Sequence, residues 1–82
     1  MTTVRIPPTL RPETGGAREV PAHGGTVREL LDDLRSRFPS LTGKLEYANV
    51  YVDGEDVRTL EGQETEVRDG ATVILLPAMA GG

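Results

Sequence analysis

The clearest periodic pattern in the chain is a hydrophobic stripe at helical spacing between residues 27 and 38. Its members recur three or four positions apart, so they share one face of a helix: Val27, Leu30, Leu31, Leu34 and Phe38. Thr26 precedes the stripe as an N-cap, and Glu29, three residues later, completes a capping box. Pro39 ends the pattern. The sequence therefore predicts one amphipathic helix and no second helix of comparable length.

Shorter stretches show the apolar residues and turn boundaries of β-strands. They cover residues 4–6, 17–20, 48–52, 56–58 and 72–76. Turn residues separate them, with Pro7-Pro8 after the first stretch and with Asp53-Gly54 and Asp69-Gly70 before the fourth and fifth. Leu41 and Leu45 are expected to extend the core through an irregular segment. The stretch 72–76 is apolar on both faces, which favours a central strand or a face covered by a partner.

The order of elements is strand, strand, helix, strand, short strand, strand. Because the helix has a single apolar stripe to bury, a mixed sheet folded over one helix is the economical arrangement. We therefore predict an α+β chain with the β-grasp (ubiquitin-like) fold. Four to five strands should pack on one main helix, with the first and last strands side by side at the centre. The domain should span residues 1–76, and residues 77–82 should form a flexible tail.

Composition argues against several classes of protein. The 82 residues form one small domain without cysteine, which rules out disulfides, thiolate metal sites and a catalytic thiol. The net charge of −4 argues against nucleic-acid binding, and Lys44 is the only lysine among nine basic residues. The first residues lack the apolar stretch of a signal peptide, and the uncharged residues 71–82 fall far short of the roughly 20 needed to cross a bilayer. We expect a cytoplasmic protein without a membrane partner.

The internal residues offer little catalytic chemistry. His23 is the only histidine and lies in a predicted loop. Glu61, Glu64, Glu66 and Asp69 form an acidic stretch without the EF-hand pattern, which favours a solvated loop over a metal site. The glycine pairs lack the lysine and hydroxyl residues of a phosphate-binding loop. We predict no catalytic residue, no metal site and no cofactor bound by this chain.

The C-terminus carries the strongest functional signal. Ala80-Gly81-Gly82 follows an uncharged, largely apolar run. Glycine has no β-carbon, so such an end can enter a channel that is too narrow for side chains. The ionised α-carboxylate is a poor acyl donor and needs activation, typically by adenylation with ATP. Capture of the acyl-adenylate by sulfur gives a thiocarboxylate, and capture by an amine gives an isopeptide bond. Either way, the chain would be a group carrier and not an enzyme.

Three stretches of the chain resemble the ubiquitin-like sulfur carriers. They are residues 6–16 (IPPTLRPETGG), 48–58 (ANVYVDGEDVR) and 69–82 (DGATVILLPAMAGG). The family includes the small subunit of molybdopterin synthase and the thiamine-pathway carrier. The first stretch is the discriminating one, and it is most similar to the actinobacterial branch that supplies sulfur for cysteine biosynthesis. The connection over residues 41–47 is shorter than is typical of that branch.

The resemblance implies that partner enzymes supply the chemistry. An adenylyltransferase and sulfurtransferase of the ubiquitin-activating type would activate Gly82 with ATP and convert it to a thiocarboxylate. In the tail, Gly81 would keep the chain narrow at the entry to that active site, and Ala80 would belong to a short spacer over residues 78–80. In the cysteine branch, an enzyme carrying pyridoxal phosphate would accept the sulfur. A metalloprotease of the deubiquitinase type would then release the product.

Alternation along the last strand predicts which residues face a partner. If Val73 and Leu75 point toward the helix, Ile74 and Leu76 point away from it and form an exposed apolar patch. We expect this patch to dock the activating enzyme. The predicted docking residues are Ile74, Leu76, Pro77 and Met79.

The residues alone leave other functions open. A ubiquitin-like modifier joined to protein lysines would share the activation step, and an inert β-grasp interaction module could end on Gly-Gly by accident. Among carriers, molybdopterin synthesis and a sulfur-containing secondary metabolite such as a thiosugar are alternative destinations for the sulfur.

Overall fold

The computed structural model describes residues 2–45 and 48–77. The strands are β1 (Thr2–Arg5), β2 (Glu19–Ala22), β3 (Ala48–Val52), β4 (Glu55–Asp56) and β5 (Thr72–Pro77). The helices are α1 (Val27–Arg37) and the single turn α2 (Thr42–Leu45). Short 3-10 turns cover Arg11–Thr14, Pro39–Leu41, Val57–Thr59 and Gly62–Glu64.

The strands form one mixed sheet in the order β2-β1-β5-β3-β4. β1 and β5 pair in parallel, and the other neighbouring strands pair antiparallel. The chain thus has the predicted β-grasp arrangement, with the first and last strands adjacent and β5 in the middle. This position gives β5 hydrogen-bonding neighbours on both sides.

The helix α1 begins at the predicted cap. The Thr26 hydroxyl accepts a hydrogen bond from the backbone N–H of Glu29 at 3.3 Å. The Glu29 carboxylate accepts from the N–H of Gly25 at 2.7 Å, one residue before the donor of a standard capping box. The N–H of Val27 donates to the carbonyl of Thr65 at 3.0 Å, so the start of the helix is also bonded to the segment that leads to β5.

The core lies between α1 and one face of the sheet. Helix residues Val27, Leu30, Leu31 and Leu34 are buried, as predicted, whereas Phe38 is half-buried and packs at the edge of the core. The sheet contributes Val4, Val20, Ala22, Val50, Val52, Val73 and Leu75, and the connections contribute Ile6, Leu10, Leu41, Leu45, Val57, Val67 and Ala71. Leu41 and Leu45 are buried as expected, but they lie in a 3-10 turn and in α2 instead of an irregular segment.

Several predicted strand boundaries are wrong by one or two residues. β1 begins at Thr2, and the buried Ile6 lies beyond its end. β2 covers residues 19–22 instead of 17–20, because the hairpin register places Val20 opposite Val4 and the buried Ala22 opposite Thr2. β2 includes Pro21, which an edge strand tolerates because its missing N–H can lie on the unpaired side.

The predicted strand over residues 56–58 is wrong after its first residue. β4 is Glu55–Asp56, and a 3-10 turn follows. The Asp56 carboxylate accepts from the backbone N–H of Arg58 at 2.9 Å and thereby caps this turn.

Candidate functional site

The strand that leads to the C-terminus is the best anchored element of the sheet. β5 pairs with β1 from Thr72 to Ile74 and with β3 from Val73 to Pro77. Its inward side chains Val73 and Leu75 are 1% and 0% exposed. The chain therefore enters its last residues from a fixed position at the middle of the sheet.

The side chains of β5 alternate as predicted. Ile74, between the buried Val73 and Leu75, points to the outer face of the sheet and is half-buried there. Leu76 is on the same face and is 43% exposed. The predicted exposure of Ile74 is therefore only partly correct. Of the two apolar residues predicted to dock a partner from this face, Leu76 is the exposed one.

Neighbouring strands explain why Ile74 is half-buried. Arg5 lies opposite Ile74 on β1, and Tyr51 lies opposite it on β3. Asn49 lies opposite Leu76. A cross-strand row of Arg5, Ile74 and Tyr51 thus runs across the outer face, with Leu76 beside it toward the C-terminal end of β5.

Charged groups border this row on both sides. Arg5 forms an exposed ion pair with Glu19 of β2, with an Nε–Oε2 distance of 3.2 Å. At the other edge, hydrogen bonds from the Arg58 guanidinium, together with the N–H of Arg58, hold the pKa of Asp56 below its ordinary value, and Tyr51 adds a further hydrogen bond. An ion pair therefore lies at each edge of this row, Arg5–Glu19 on the β2 side and Arg58–Asp56 on the β4 side.

Pro77 is the last residue that the structure describes, and it lies opposite Ala48 at the end of the β3–β5 pairing. The predicted boundary between domain and tail lies between Leu76 and Pro77, so β5 takes in the first residue assigned to the tail. The predicted attachment residue and the remaining tail and docking residues lie outside the described residues: Met79, Ala80, Gly81 and Gly82.

The other chemistry-bearing residues are in loops. The backbone N–H of His23 donates to the Asp33 carboxylate at 3.0 Å, and the His23 side chain is exposed. Glu61, Glu64 and Glu66 line a cleft beside the start of α1. No group of three or more His, Cys, Asp or Glu side chains within residues 2–45 and 48–77 is placed to hold a metal ion. No helix in the same ranges is long and apolar enough to cross a bilayer.

Sequence reasoning missed a set of arginines beside β5. Arg5, Arg11 and Arg18 line one groove together with Ile74 and Leu76. The prolines and glycines of residues 6–16 indicated only a loop, and nothing in the local pattern shows that this loop folds back against the last strand.

Fold and site together define a class of protein. The mixed sheet with β1 and β5 side by side and one main helix packed on it defines a ubiquitin-like β-grasp domain. The ThiS family pattern matches residues 4–82, and the chain belongs to this family. It is a ubiquitin-like sulfur carrier.

Individual relatives agree with this assignment. The sulfur carrier protein CysO of Mycobacterium tuberculosis is 43% identical over 90 residues, which cover 98% of this chain and 97% of the relative. A putative sulfur carrier protein of Archaeoglobus fulgidus is 34% identical, with 96% of each chain covered.

Solved structures show the same fold over the full length. A crystal structure of the Amycolatopsis orientalis BexX/CysO complex contains a chain with a TM-score of 0.90 and 46% identity, and the match covers 100% of both chains. The small archaeal modifier protein 1 of Methanosarcina acetivorans gives a TM-score of 0.88 at 26% identity, over 99% of this chain and 95% of that one.

Proposed function

We propose that this carrier delivers sulfur for cysteine biosynthesis as a thiocarboxylate on Gly82. The observation that carries the proposal is the placement of β5. β5, paired with β1 up to Ile74 and with β3 up to Pro77, ends five residues before Gly82. Similarity to the mycobacterial CysO proteins supports the pathway.

The geometry suits presentation of the C-terminus to another protein's active site. Five residues follow Pro77, and an extended chain spans about 3.3–3.6 Å per residue, so the carboxylate can reach about 16–18 Å beyond the domain. Gly81 and Gly82 have no side chains that would widen the entry. The partner can hold the folded domain outside while its active site encloses the carboxylate.

The loading chemistry has two steps, both performed by a partner. The Gly82 carboxylate attacks the α-phosphorus of ATP, which forms the acyl-adenylate and releases pyrophosphate. A sulfide-equivalent nucleophile supplied by the partner then attacks the acyl carbon, so the bond to AMP breaks and a carbon–sulfur bond forms. Precise placement of the carbonyl accounts for the rate of both steps.

Delivery uses a second partner. An enzyme carrying pyridoxal phosphate would present an aminoacrylate, to whose β-carbon the thiocarboxylate sulfur adds. An acyl shift to the amine leaves cysteine attached to Gly82, and a metalloprotease of the deubiquitinase type hydrolyses that bond. ATP, pyridoxal phosphate and zinc thus belong to the partners. The structure of a related carrier bound to a second protein, BexX, supports the expectation of an accepting partner.

Docking of the activating enzyme is assigned to the outer face around Leu76. Leu76 is exposed and apolar, and it lies six residues before the reacting carbonyl. Apolar contact at this position would hold the domain while leaving the tail free to extend. Ile74 and Pro77 continue the strand on either side, and Met79 would extend the contact into the tail.

The test is intact-protein mass spectrometry after incubation with the activating enzyme, ATP and a sulfur source. The protein should gain the mass of one oxygen-to-sulfur exchange, and fragmentation should place the sulfur on Gly82. Transfer to the cysteine-forming enzyme should then release cysteine. If the protein is loaded but does not transfer sulfur to that enzyme, the destination of the sulfur would instead be molybdopterin or a secondary metabolite. Sulfur found at any other residue would contradict the proposal.

A second function, conjugation to proteins, is favoured by similarity to the Methanosarcina small archaeal modifier protein 1. Lys44 is the only lysine through which this chain itself could be extended, and its ammonium group pairs with Glu13 at 3.0 Å. Western blotting of cell extract with an antibody against this chain distinguishes the two functions. A ladder above the free protein would indicate conjugation, and a single band supports a dedicated sulfur carrier.

A further inference from the structure

The groove beside β5 has an unusual balance of charge for this chain. We define the arginine groove by Arg5, Arg11, Arg18, Ile74 and Leu76. Its volume is about 600 Å³, and its walls are completed by Ile6, Pro7, Pro8, Glu19 and Leu75. Three arginines face one glutamate there, although the whole chain has a formal net charge of −4.

The arginines of the groove differ from the others in the chain. The remaining five each lie within 4.0 Å of a carboxylate: Arg28, Arg35, Arg37, Arg58 and Arg68. In the groove, only Arg5 has such a partner, Glu19. Within the described ranges, Arg11 and Arg18 form no ion pair with a carboxylate. Two guanidinium groups are therefore left to pair with a partner's anions.

Both unpaired arginines are held at the end of β1. The Nε of Arg11 donates to the carbonyl of Ile6 at 3.1 Å, which orients the guanidinium and leaves its terminal nitrogens available. The N–H of Ile6 donates to the carbonyl of Arg18 at 2.8 Å, so the backbone of Arg18 continues the hairpin. The fold thus places both residues beside β5, and a hydrogen bond also orients the side chain of Arg11.

We propose that the arginine groove binds an acidic, extended segment of the activating enzyme that adenylates Gly82. Guanidinium groups pair with carboxylates in a bidentate geometry, and Leu76 offers an apolar contact in the same groove. β1 has neighbours on both sides, whereas β5 is paired with β1 only up to Ile74, so in the sheet its residues beyond Ile74 are paired on the β3 side alone. The partner segment can therefore use this backbone edge as well as the side chains of the groove, which favour acidic and apolar residues side by side in that segment.

The position of the groove explains why this partner would use it. Leu76 lies six residues before Gly82, so even a fully extended tail keeps the terminal carboxylate within about 20–22 Å of the groove. Electrostatic contacts at this point would steer the domain, which is net negative outside the groove, into one orientation. Only the identity of the partner rests on the proposed function, since the charge and shape of the groove are independent of it.

The direct test is backbone-amide NMR of the full chain titrated with a synthetic peptide of repeated Asp-Glu-Leu triplets. Shift changes should centre on Arg5, Arg11, Arg18, Ile74 and Leu76, and should shrink at high salt because exposed charge pairs are screened. Arg11→Gln with Arg18→Gln should raise the peptide Kd about three- to tenfold. The matched control is Arg28→Gln with Arg68→Gln, which removes equal charge elsewhere and should leave the Kd unchanged.

A single substitution at Arg18 provides a second test of the groove. Arg18→Gln alone removes an exposed side chain with no hydrogen bond in the described ranges, so it tests the groove even if the double variant unfolds. Shift changes that map outside the groove, or an equal Kd for the Arg18 variant and the wild type, would overturn the proposal. Binding of single-stranded oligothymidylate without binding of the acidic peptide would also overturn it and would make the groove a nucleic-acid site.

A kinetic arm separates this inference from the proposed function. With the activating enzyme, the arginine double variant should raise KM for the carrier about three- to tenfold with kcat unchanged. A wild-type KM in this variant would refute the groove proposal while leaving sulfur loading intact. Failure of the wild type to load would refute the proposed function, and the peptide titration would still decide the role of the groove.

Discussion

Gly24 shows how a single residue sets the start of α1. Its φ is +152°, a conformation that L side chains rarely adopt. A β-carbon at this position would lie 2.6 Å from Cβ of Glu29 and 2.9 Å from the backbone nitrogen of Leu30. The chain therefore needs glycine here to pass close to the first turn of the helix.

We expect Gly24→Ala to lower the free energy of unfolding by about 1–3 kcal/mol, because the backbone of the helix cannot give way. The matched control is Gly43→Ala, where nothing lies within 4 Å of the added carbon. That variant should be neutral or more stable by up to about 1 kcal/mol, since alanine favours helix. Urea unfolding of both variants provides the measurement. Equal midpoints would show that a side chain at position 24 is accommodated without loss of stability.

Asp56 illustrates the effect of a local ion pair on titration. Hydrogen bonds from the Arg58 side chain, and then from its N–H, lower the pKa of Asp56 below its ordinary value of about 3.9. Because the folded pKa is below the unfolded one, the stabilisation is present above about pH 4 and is lost as pH falls through the folded pKa.

NMR titration of the side-chain carboxyl should therefore show a depressed pKa for Asp56 in the wild type. In Arg58→Gln, the pKa should rise toward the ordinary value, because the main donor is gone. Arg68→Gln is the control and should leave it unchanged. The attribution to Arg58 is incorrect if the pKa of Asp56 is the same in all three proteins.

At the scale of elements, α1 and β5 contribute most to the two faces of the sheet. α1 supplies the apolar stripe that covers the inner face of the sheet. β5 supplies core residues on that inner face and, on the opposite face, the outer patch formed by Ile74 and Leu76. Since β5 lies between β1 and β3, a change on its inner face acts on the whole sheet. A change on its outer face acts mainly on what approaches from solvent.

Leu31→Ala tests the helix phase. Leu31 is 4% exposed, and truncating it should lower the free energy of unfolding by about 2–5 kcal/mol, because it leaves a cavity in the core. Ser36→Ala, on the exposed side of the same helix, should change it by no more than about 0.5 kcal/mol. Chemical denaturation checks both, and a negligible effect at Leu31 would contradict the packing described above.

The outer patch is best tested at Leu76. Leu76→Asp should leave the fold intact and strongly reduce adenylation of Gly82, because it places a charge where the activating enzyme is proposed to dock. Its control is Leu60→Asp, since Leu60 and Leu76 are 42% and 43% exposed but Leu60 lines the acidic cleft beside α1. Ile74→Asp is less informative, because Ile74 is half-buried and its loss would also weaken the sheet.

Pyrophosphate release by the activating enzyme measures this effect. A normal rate for Leu76→Asp would remove the outer patch from the docking surface. Equal impairment of the Leu60 and Leu76 variants would instead indicate a general sensitivity to added negative charge.

For the whole molecule, the domain and its terminal residues have separate tasks. The packed core accounts for stability, and Gly82 is the residue that we propose carries the reacting group. Because the tail follows the last core residue, Leu75, changes at the terminus should not reach the core.

Removal of Gly82, or addition of one residue after it, should therefore leave the urea midpoint unchanged and abolish loading. The acyl carbon would be displaced from the site at which it is activated, and such misplacement is costly for a positioned reaction. Intact-protein mass spectrometry measures the fraction of protein that gains the mass of one oxygen-to-sulfur exchange, with wild type as the reference. An extended variant that loads as well as wild type would contradict the carrier mechanism.

The sequence by itself determined those features that depend on residues close together in the chain. The phase of α1 was readable because its stripe recurs within four residues, and Thr26 with Glu29 marked its start. Alternation from Val73 to Leu76 correctly assigned the two faces of β5. The Gly-Gly end, together with the three family stretches, indicated a sulfur carrier, and family membership confirms it.

Only the tertiary structure decided features that depend on residues far apart in the chain. The register of Val4 with Val20 moved β2 by two residues, because the pairing with β1 and not the local alternation selects which residues enter the strand. The same holds for the half-burial of Ile74 between Arg5 and Tyr51 and for the meeting of Arg11 and Arg18 with Leu76. Local periodicity specifies which side of an element is apolar, whereas the neighbours of that side are chosen by packing of the whole chain.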